Sequence, residues 1–81
     1  MKKGQNVKVL IDYDLFDLNV NGLMGIYLKT DDNGKSLVYF PQNGEYGEFK
    51  EEEIEFQTGR IPNDNLEFVS RIKTMTVTFP T

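Results

Sequence analysis

Residues 21–50, NGLMGIYLKTDDNGKSLVYFPQNGEYGEFK, decide the fold class of this 81-residue chain. Three Asn-Gly pairs, at 21–22, 33–34 and 43–44, separate apolar runs of strand length. Asn and Gly tolerate the positive φ that a two-residue type I′ turn requires, and the run at 37–40 is rich in strand formers. The stretch therefore predicts a β-meander with tight hairpin turns at the second and third pairs.

Alternation of apolar and polar residues extends this pattern in both directions. It predicts a first strand within 4–11, a second at 23–31 with a bulge or bend at Gly25, and a third and fourth at 35–40 and 45–50. A turn and a short fifth strand follow at 51–56, whereas residues 12–21 have no clean period and are predicted to form a long ordered loop. The predicted core consists of Val7, Val9, Ile26, Leu28, Val38, Phe40, Phe49 and Ile54.

The C-terminal part of the chain, from residue 58 onward, has a different pattern of residues. Residues 58–65 cluster Gly, Pro, Asn and Asp as loops do, and residues 66–72 and 73–79 alternate like two further strands. No amphipathic helix of three turns is expected anywhere. The prediction is one all-β domain: a small antiparallel barrel of five strands over residues 1–57, with a C-terminal β-hairpin extension over residues 58–81 packed on the same domain.

Composition narrows the classes of function. The chain has no cysteine and no histidine, which removes disulfides, thiolate metal sites and the usual general base at neutral pH. We therefore expect no enzyme and no cofactor. The net charge of −4 disfavours direct nucleic-acid binding. No apolar run reaches the length of a membrane span, so a cytoplasmic protein that does not bind membranes is expected.

Three short patterns resemble chemical sites but favour structural interpretations. Asp12, Asp14 and Asp17 begin like a calcium loop, but no glycine or closing glutamate follows at the required spacing, so no metal site is predicted. Gly34 and Lys35 match the end of a phosphate-binding loop whose earlier glycine is absent. The tyrosines could stack on nucleic-acid bases, but their acidic surroundings favour packing in the core or at its rim: Tyr13, Tyr27, Tyr39 and Tyr46.

Residues 45–55 contain six glutamates and only one lysine. One interpretation is a solvated edge that prevents strands of different molecules from pairing. The other is a negative face that docks on a basic partner or imitates the phosphates of a nucleic acid.

The order of these features resembles the SH3-like small barrels of the KOW type. The matching residues are Gly4, Val7 and Val9 in the first strand, then Gly22 and Gly25, then Val38 and Phe40. The chain is also similar to the SH3-like ferredoxin-docking subunits of the photosynthetic NAD(P)H-quinone oxidoreductase complex. That resemblance rests on Gly22-Leu23, Gly25, Lys35, Val38-Tyr39-Phe40 and Glu53-Ile54-Glu55. Both resemblances imply an SH3-like barrel, and the second implies an accessory subunit.

The leading hypothesis is therefore a non-catalytic protein-protein interaction module or small accessory subunit that docks on a basic partner through the loop and the acidic edge. The alternative is a phage or mobile-element inhibitor whose acidic face imitates nucleic acid and blocks a nucleic-acid-binding protein. A homodimer through the C-terminal strands is a further option. The predicted partner-binding residues are Asp12, Asp14, Leu15, Phe16, Asp17, Glu45, Glu48, Glu51, Glu52 and Glu53.

Overall fold

The computed structural model describes residues 3–15 and 18–72. In these ranges the chain forms seven strands, a 3₁₀ helix at Glu51–Glu53 and an α-helix, α1, at Asn63–Ile72. The strands are β1 (Asn6–Val9), β2 (Asp14–Leu15), β3 (Leu18–Asn19), β4 (Met24–Thr30), β5 (Lys35–Phe40), β6 (Glu45–Lys50) and β7 (Ile54–Phe56). The mostly-β class is confirmed.

The main sheet has five strands in the order β6-β5-β4-β1-β7, and all of its pairs are antiparallel. A separate two-stranded sheet pairs β2 with β3. In the part of the chain that the structure describes, β6 and β7 are the two edges of the main sheet and do not pair with each other. The sheet is therefore open here, and its closure into a barrel stays a prediction.

Both predicted hairpins of the meander form, but the predicted two-residue turns are wrong. Four residues connect β4 to β5 and four connect β5 to β6, with Gly34 and Gly44 at positive φ as the last residue of each loop. In the first loop a carboxylate oxygen of Asp31 accepts hydrogen bonds from the backbone amides of Asn33 and Lys35. These bonds stabilise the longer loop, because they satisfy amides that a tight turn would pair differently.

All eight residues of the predicted core are buried, but they lie on the two faces of the sheet. On the inner face, Val7, Val9, Val38, Phe40, Phe49 and Ile54 form one apolar cluster with Leu15, Val20 and Tyr27. On the outer face, Ile26 and Leu28 pack with Leu37 and with Val69 of α1. β4 is buried on both faces, since its sequence MGIYLKT has little polar content at its centre.

The sequence predicts a bulge or bend at Gly25, but the irregularity in β4 lies at another position. Gly25 pairs regularly with Val7, and the register of β4 against β5 shifts between Tyr27 and Lys29. Gly25 is required for packing, because a Cβ atom there would overlap the Val38 side chain and stand 3.0 Å from Cε1 of Phe40.

The strand predicted at residues 66–72 is also wrong, because these residues belong to α1. The helical spacing of Asn65, Phe68 and Val69 turns these three side chains toward the sheet and leaves Leu66 exposed. The strand predicted at residues 73–79, and with it the dimer through two C-terminal strands, lies outside the described residues.

Polar and aromatic contacts attach α1 to the outer face of the sheet. Nδ2 of Asn65 donates to the carbonyl oxygen of Gly4 and to Oδ1 of Asn6, both at 2.7 Å. The Phe68 ring stacks on Tyr39 of β5, whose ring also contacts Tyr46 of β6. The helix therefore covers the half of the outer face that contains Ile26.

Candidate protein-docking surface

Residues 12–21, predicted as a loop, contain the short hairpin of β2 and β3. Its base is closed by hydrogen bonds from the amide of Val20 to the carbonyl oxygen of Tyr13 and from Nδ2 of Asn21 to a carboxylate oxygen of Asp12, each 2.9 Å long. Asp12 and Asp14 are exposed. Within the described residues, no group of three or more acidic side chains is placed to hold a metal ion.

The hairpin directs only some of its predicted contact residues outward. Leu15 was expected to contact a partner, but its side chain is only 8% exposed and packs in the inner cluster. This burial follows from β-strand alternation, because Asp14 and Leu15 point to opposite sides. Phe16 and Asp17 lie outside the described residues.

The glutamates of β6 do not share a face. Glu45 lies opposite Phe40 and Glu48 lies opposite Leu37, and those two residues of β5 belong to the inner and outer clusters, respectively. Both glutamates are half-buried. The continuous glutamate-rich edge expected from the sequence is thus divided between the two sides of the sheet.

The three consecutive glutamates of the 3₁₀ helix differ in exposure and in hydrogen bonding. Glu51 and Glu52 are exposed, whereas Oε1 of Glu53 accepts a hydrogen bond from the amide of Lys50 at 2.7 Å. The carbonyl oxygen of Glu53 also accepts from the amide of Leu10 at 2.9 Å. Glu53 therefore supports the structure, a role that glutamate density in the sequence could not reveal.

Two contacts join residues 10–13, which lead into the hairpin, to residues 49–53 at the end of β6 and in the 3₁₀ helix. One is the hydrogen bond from Leu10 to Glu53, and the other joins the Tyr13 and Phe49 rings, whose centroids are 4.8 Å apart. Each of the two segments carries exposed carboxylates close to these contacts in sequence. We call these four residues the acidic surface: Asp12, Asp14, Glu51 and Glu52.

The carboxylates of the acidic surface have no cationic partner within residues 3–15 and 18–72. The ion pair found in this part of the chain joins Arg71 to Glu67 on α1. Because no ion pair within the described residues neutralises these carboxylates, they are able to attract an external cation.

The topology also agrees with the edge-protection interpretation for some of the glutamates. Glu45 and Glu48 lie on β6 and Glu55 lies on β7, the two edge strands of the main sheet. Charged side chains on edge strands oppose pairing with other molecules. This role does not extend to Asp12 and Asp14, which lie at the hairpin.

The tyrosines have the packing roles that the sequence favoured. Tyr27 is buried against Phe56, with ring centroids 5.2 Å apart, and Tyr13 packs on Phe49. Tyr39 and Tyr46 lie under α1, where burial, together with the neighbouring Tyr39, raises the pKa of the Tyr46 hydroxyl above its ordinary value. Because the tyrosine rings make contacts within the molecule, they are poorly suited to form a platform of free rings on which nucleic-acid bases could stack.

The loop before α1 forms a shallow depression of about 230 Å³, lined by Arg60, Ile61, Pro62 and Asn63. Arg60 is its one charged side chain, so the depression offers no acid-base pair. In the described residues, no helix is both long and apolar enough to cross a membrane.

Comparisons with known proteins give no further assignment. No protein-family model matches the chain, and neither the curated proteins nor the solved structures include a significant match.

Proposed function

We propose that this protein is a non-catalytic interaction module or small accessory subunit of the SH3-like barrel type, which docks on a basic surface of another protein. The observation that carries this proposal is the contact between two acid-bearing segments, from Leu10 to Glu53 and from Tyr13 to Phe49. Asp12 and Asp14 lie on the first of these segments, and the exposed Glu51 and Glu52 lie on the second.

Edge protection explains Glu45, Glu48 and Glu55 but does not extend to these four carboxylates, which lie outside the edge strands of the main sheet. Like charges held close together reduce folding stability through repulsion. A complementary basic surface relieves this repulsion and also accelerates association, because the opposite potentials steer the two proteins together. The exposed positions of Glu51 and Glu52 suit such a contact, and Glu53 takes no part in it because its carboxylate is used internally.

The test is affinity capture from a lysate of the native host, followed by quantitative mass spectrometry. The bait variant is Glu51→Lys/Glu52→Lys, which spares the structural Glu53. The matched control is Asp32→Lys/Glu67→Lys, which makes the same change in net charge at two other exposed acids. The proposal expects a protein that the wild type and the control capture and the first variant does not. Equal capture by all three baits would refute it.

The nucleic-acid mimic uses the same acidic surface, so competition separates the two functions. Displacement of the captured protein by added single-stranded or duplex nucleic acid would favour a phage-type inhibitor. Persistence of the complex under the same conditions supports the accessory subunit.

A further inference from the structure

Two large apolar side chains are exposed next to each other on the outer face of the sheet. Leu10 is 46% exposed and Met24 is 38% exposed. Met24 pairs with Lys8 across β4 and β1, and Leu10 follows Lys8 by two residues, so the alternation of the strand places all three on one face. α1 covers the other half of this face and leaves Leu10 and Met24 uncovered. We call these two residues the apolar patch.

Charged side chains border the apolar patch, among them the exposed Lys8, which lies opposite Met24. The amide of Leu10 donates to the backbone carbonyl oxygen of Glu53, and the exposed Asp12 follows Leu10 by two residues. Glu55, which is exposed, lies opposite Lys8 on β7. Leu10 thus lies at the hydrogen bond that joins the two segments that carry the acidic surface.

We infer that the apolar patch and the acidic surface together bind a cationic, amphipathic segment of the partner protein, in which an aliphatic side chain is flanked by lysines or arginines. The aliphatic group would cover Leu10 and Met24, and the cations would approach Glu51, Glu52 and Asp12. This inference rests on the proposed function and specifies the chemistry of the partner.

Charge selects this occupant over a second copy of the chain. A copy placed on the same face would bring its own acidic surface against the first, and like charges oppose such a contact. With a net charge of −4 on each copy, the repulsion would also act at a distance at low salt. A cationic segment removes both penalties and buries the exposed apolar area.

The test uses two labelled synthetic peptides of equal length and charge, one alternating lysine with leucine and the other alternating lysine with serine. Fluorescence anisotropy at low salt measures their affinities for the folded protein. The wild type should bind the lysine-leucine peptide about tenfold more tightly, which is the effect of burying one or two aliphatic groups. Leu10→Ser/Met24→Ser should abolish this preference, whereas Leu66→Ser, which alters the exposed leucine of α1, should retain it.

The outcomes separate the inference from the proposed function. If Leu10→Ser/Met24→Ser retains the preference for leucine, the apolar patch is not the binding site and the inference is wrong, although the acidic surface can still bind. Glu51→Lys/Glu52→Lys should weaken the binding of both peptides. If that variant binds both as the wild type does, the proposed function is contradicted whatever the apolar patch contributes. Failure of the wild type to bind either peptide would overturn both.

Discussion

The ring of Phe68 stacks on that of Tyr39, with centroids 4.3 Å apart and planes inclined by 22°. This contact joins α1 to the outer face of β5, and Val69 packs beside it on Ile26, Leu28 and Leu37. A ten-residue helix is marginal in isolation, so α1 depends on such tertiary contacts.

Replacing Phe68 by alanine is therefore expected to loosen α1. The loss of a half-buried ring and its stacking contact should lower the free energy of unfolding by about 2 kcal/mol. Urea denaturation followed by circular dichroism measures the change. Ser70→Ala, at an exposed position of the same helix, is the control and should have little effect. Equal stability of the two variants would show that Phe68 does not hold the helix.

Asn65 anchors the start of α1 to β1 through its two hydrogen bonds to Gly4 and Asn6. Asn65→Ala would leave a buried carbonyl oxygen and an amide oxygen without this donor, which costs about 1–3 kcal/mol. Hydrogen exchange should also show faster exchange of the helix amides relative to those of β4 and β5. Unchanged exchange in α1 would contradict the anchoring role.

Gly25 is expected to tolerate no side chain. In Gly25→Ala the new methyl group would be forced against Val38 and Phe40, at a cost of about 2–3 kcal/mol. Gly22→Ala is the matched control, since its Cβ atom would meet open space and only the positive φ of 79° opposes it, at about 1 kcal/mol. Thermal unfolding compares them. A smaller loss of stability at Gly25 than at Gly22 would contradict the packing account.

Alkaline pH should destabilise the region under α1. Burial raises the pKa of Tyr46 above 10.0, with Tyr39 adding to the effect, so folding favours the protonated hydroxyl. This contribution to stability is present below about pH 10 and is lost as the pH rises through the raised pKa of the folded state.

The measurement is ultraviolet titration of tyrosine combined with denaturation across the same pH range. Tyr46→Phe should remove a late ionisation step and flatten the loss of stability above about pH 10. Tyr13→Phe should leave that step in place. Persistence of the late step in Tyr46→Phe would assign it to another group.

The strands were predictable because the alternation of apolar and polar residues and the residues that form turns are local features of the sequence. β5 and β6 have the predicted bounds, and Phe40 and Phe49 are fully buried as expected. The sequence does not predict α1, because Leu66 and Phe68 are two residues apart, as apolar residues are in a strand. The face of α1 that packs on the sheet begins with Asn65, and this polar residue interrupts the helical spacing of apolar residues. The oxygen atoms that accept hydrogen bonds from the buried Asn65 side chain belong to residues about 60 positions earlier in the chain. Local sequence patterns cannot show such distant partners.

The candidate site was predictable in composition but not in arrangement. The density of acids in the sequence predicts Glu51 and Glu52 as contact residues, and both are exposed, whereas the capping role of Glu53 and the burial of Leu15 depend on three-dimensional contacts. Alternation with Lys8 predicts the face on which Leu10 lies, but its exposure depends on which part of that face α1 covers.

The most direct test of the proposed docking surface is the rate of association between this protein and the captured partner, measured by stopped-flow fluorescence as salt is increased. Docking through the acidic surface predicts that the rate constant falls by about tenfold or more between low and high salt, because salt screens the steering charges. Glu51→Lys/Glu52→Lys should associate slowly and depend only weakly on salt, whereas Asp32→Lys/Glu67→Lys should retain most of the wild-type salt dependence. A rate constant that is the same at all salt concentrations, and the same in the wild type and both variants, would contradict the account.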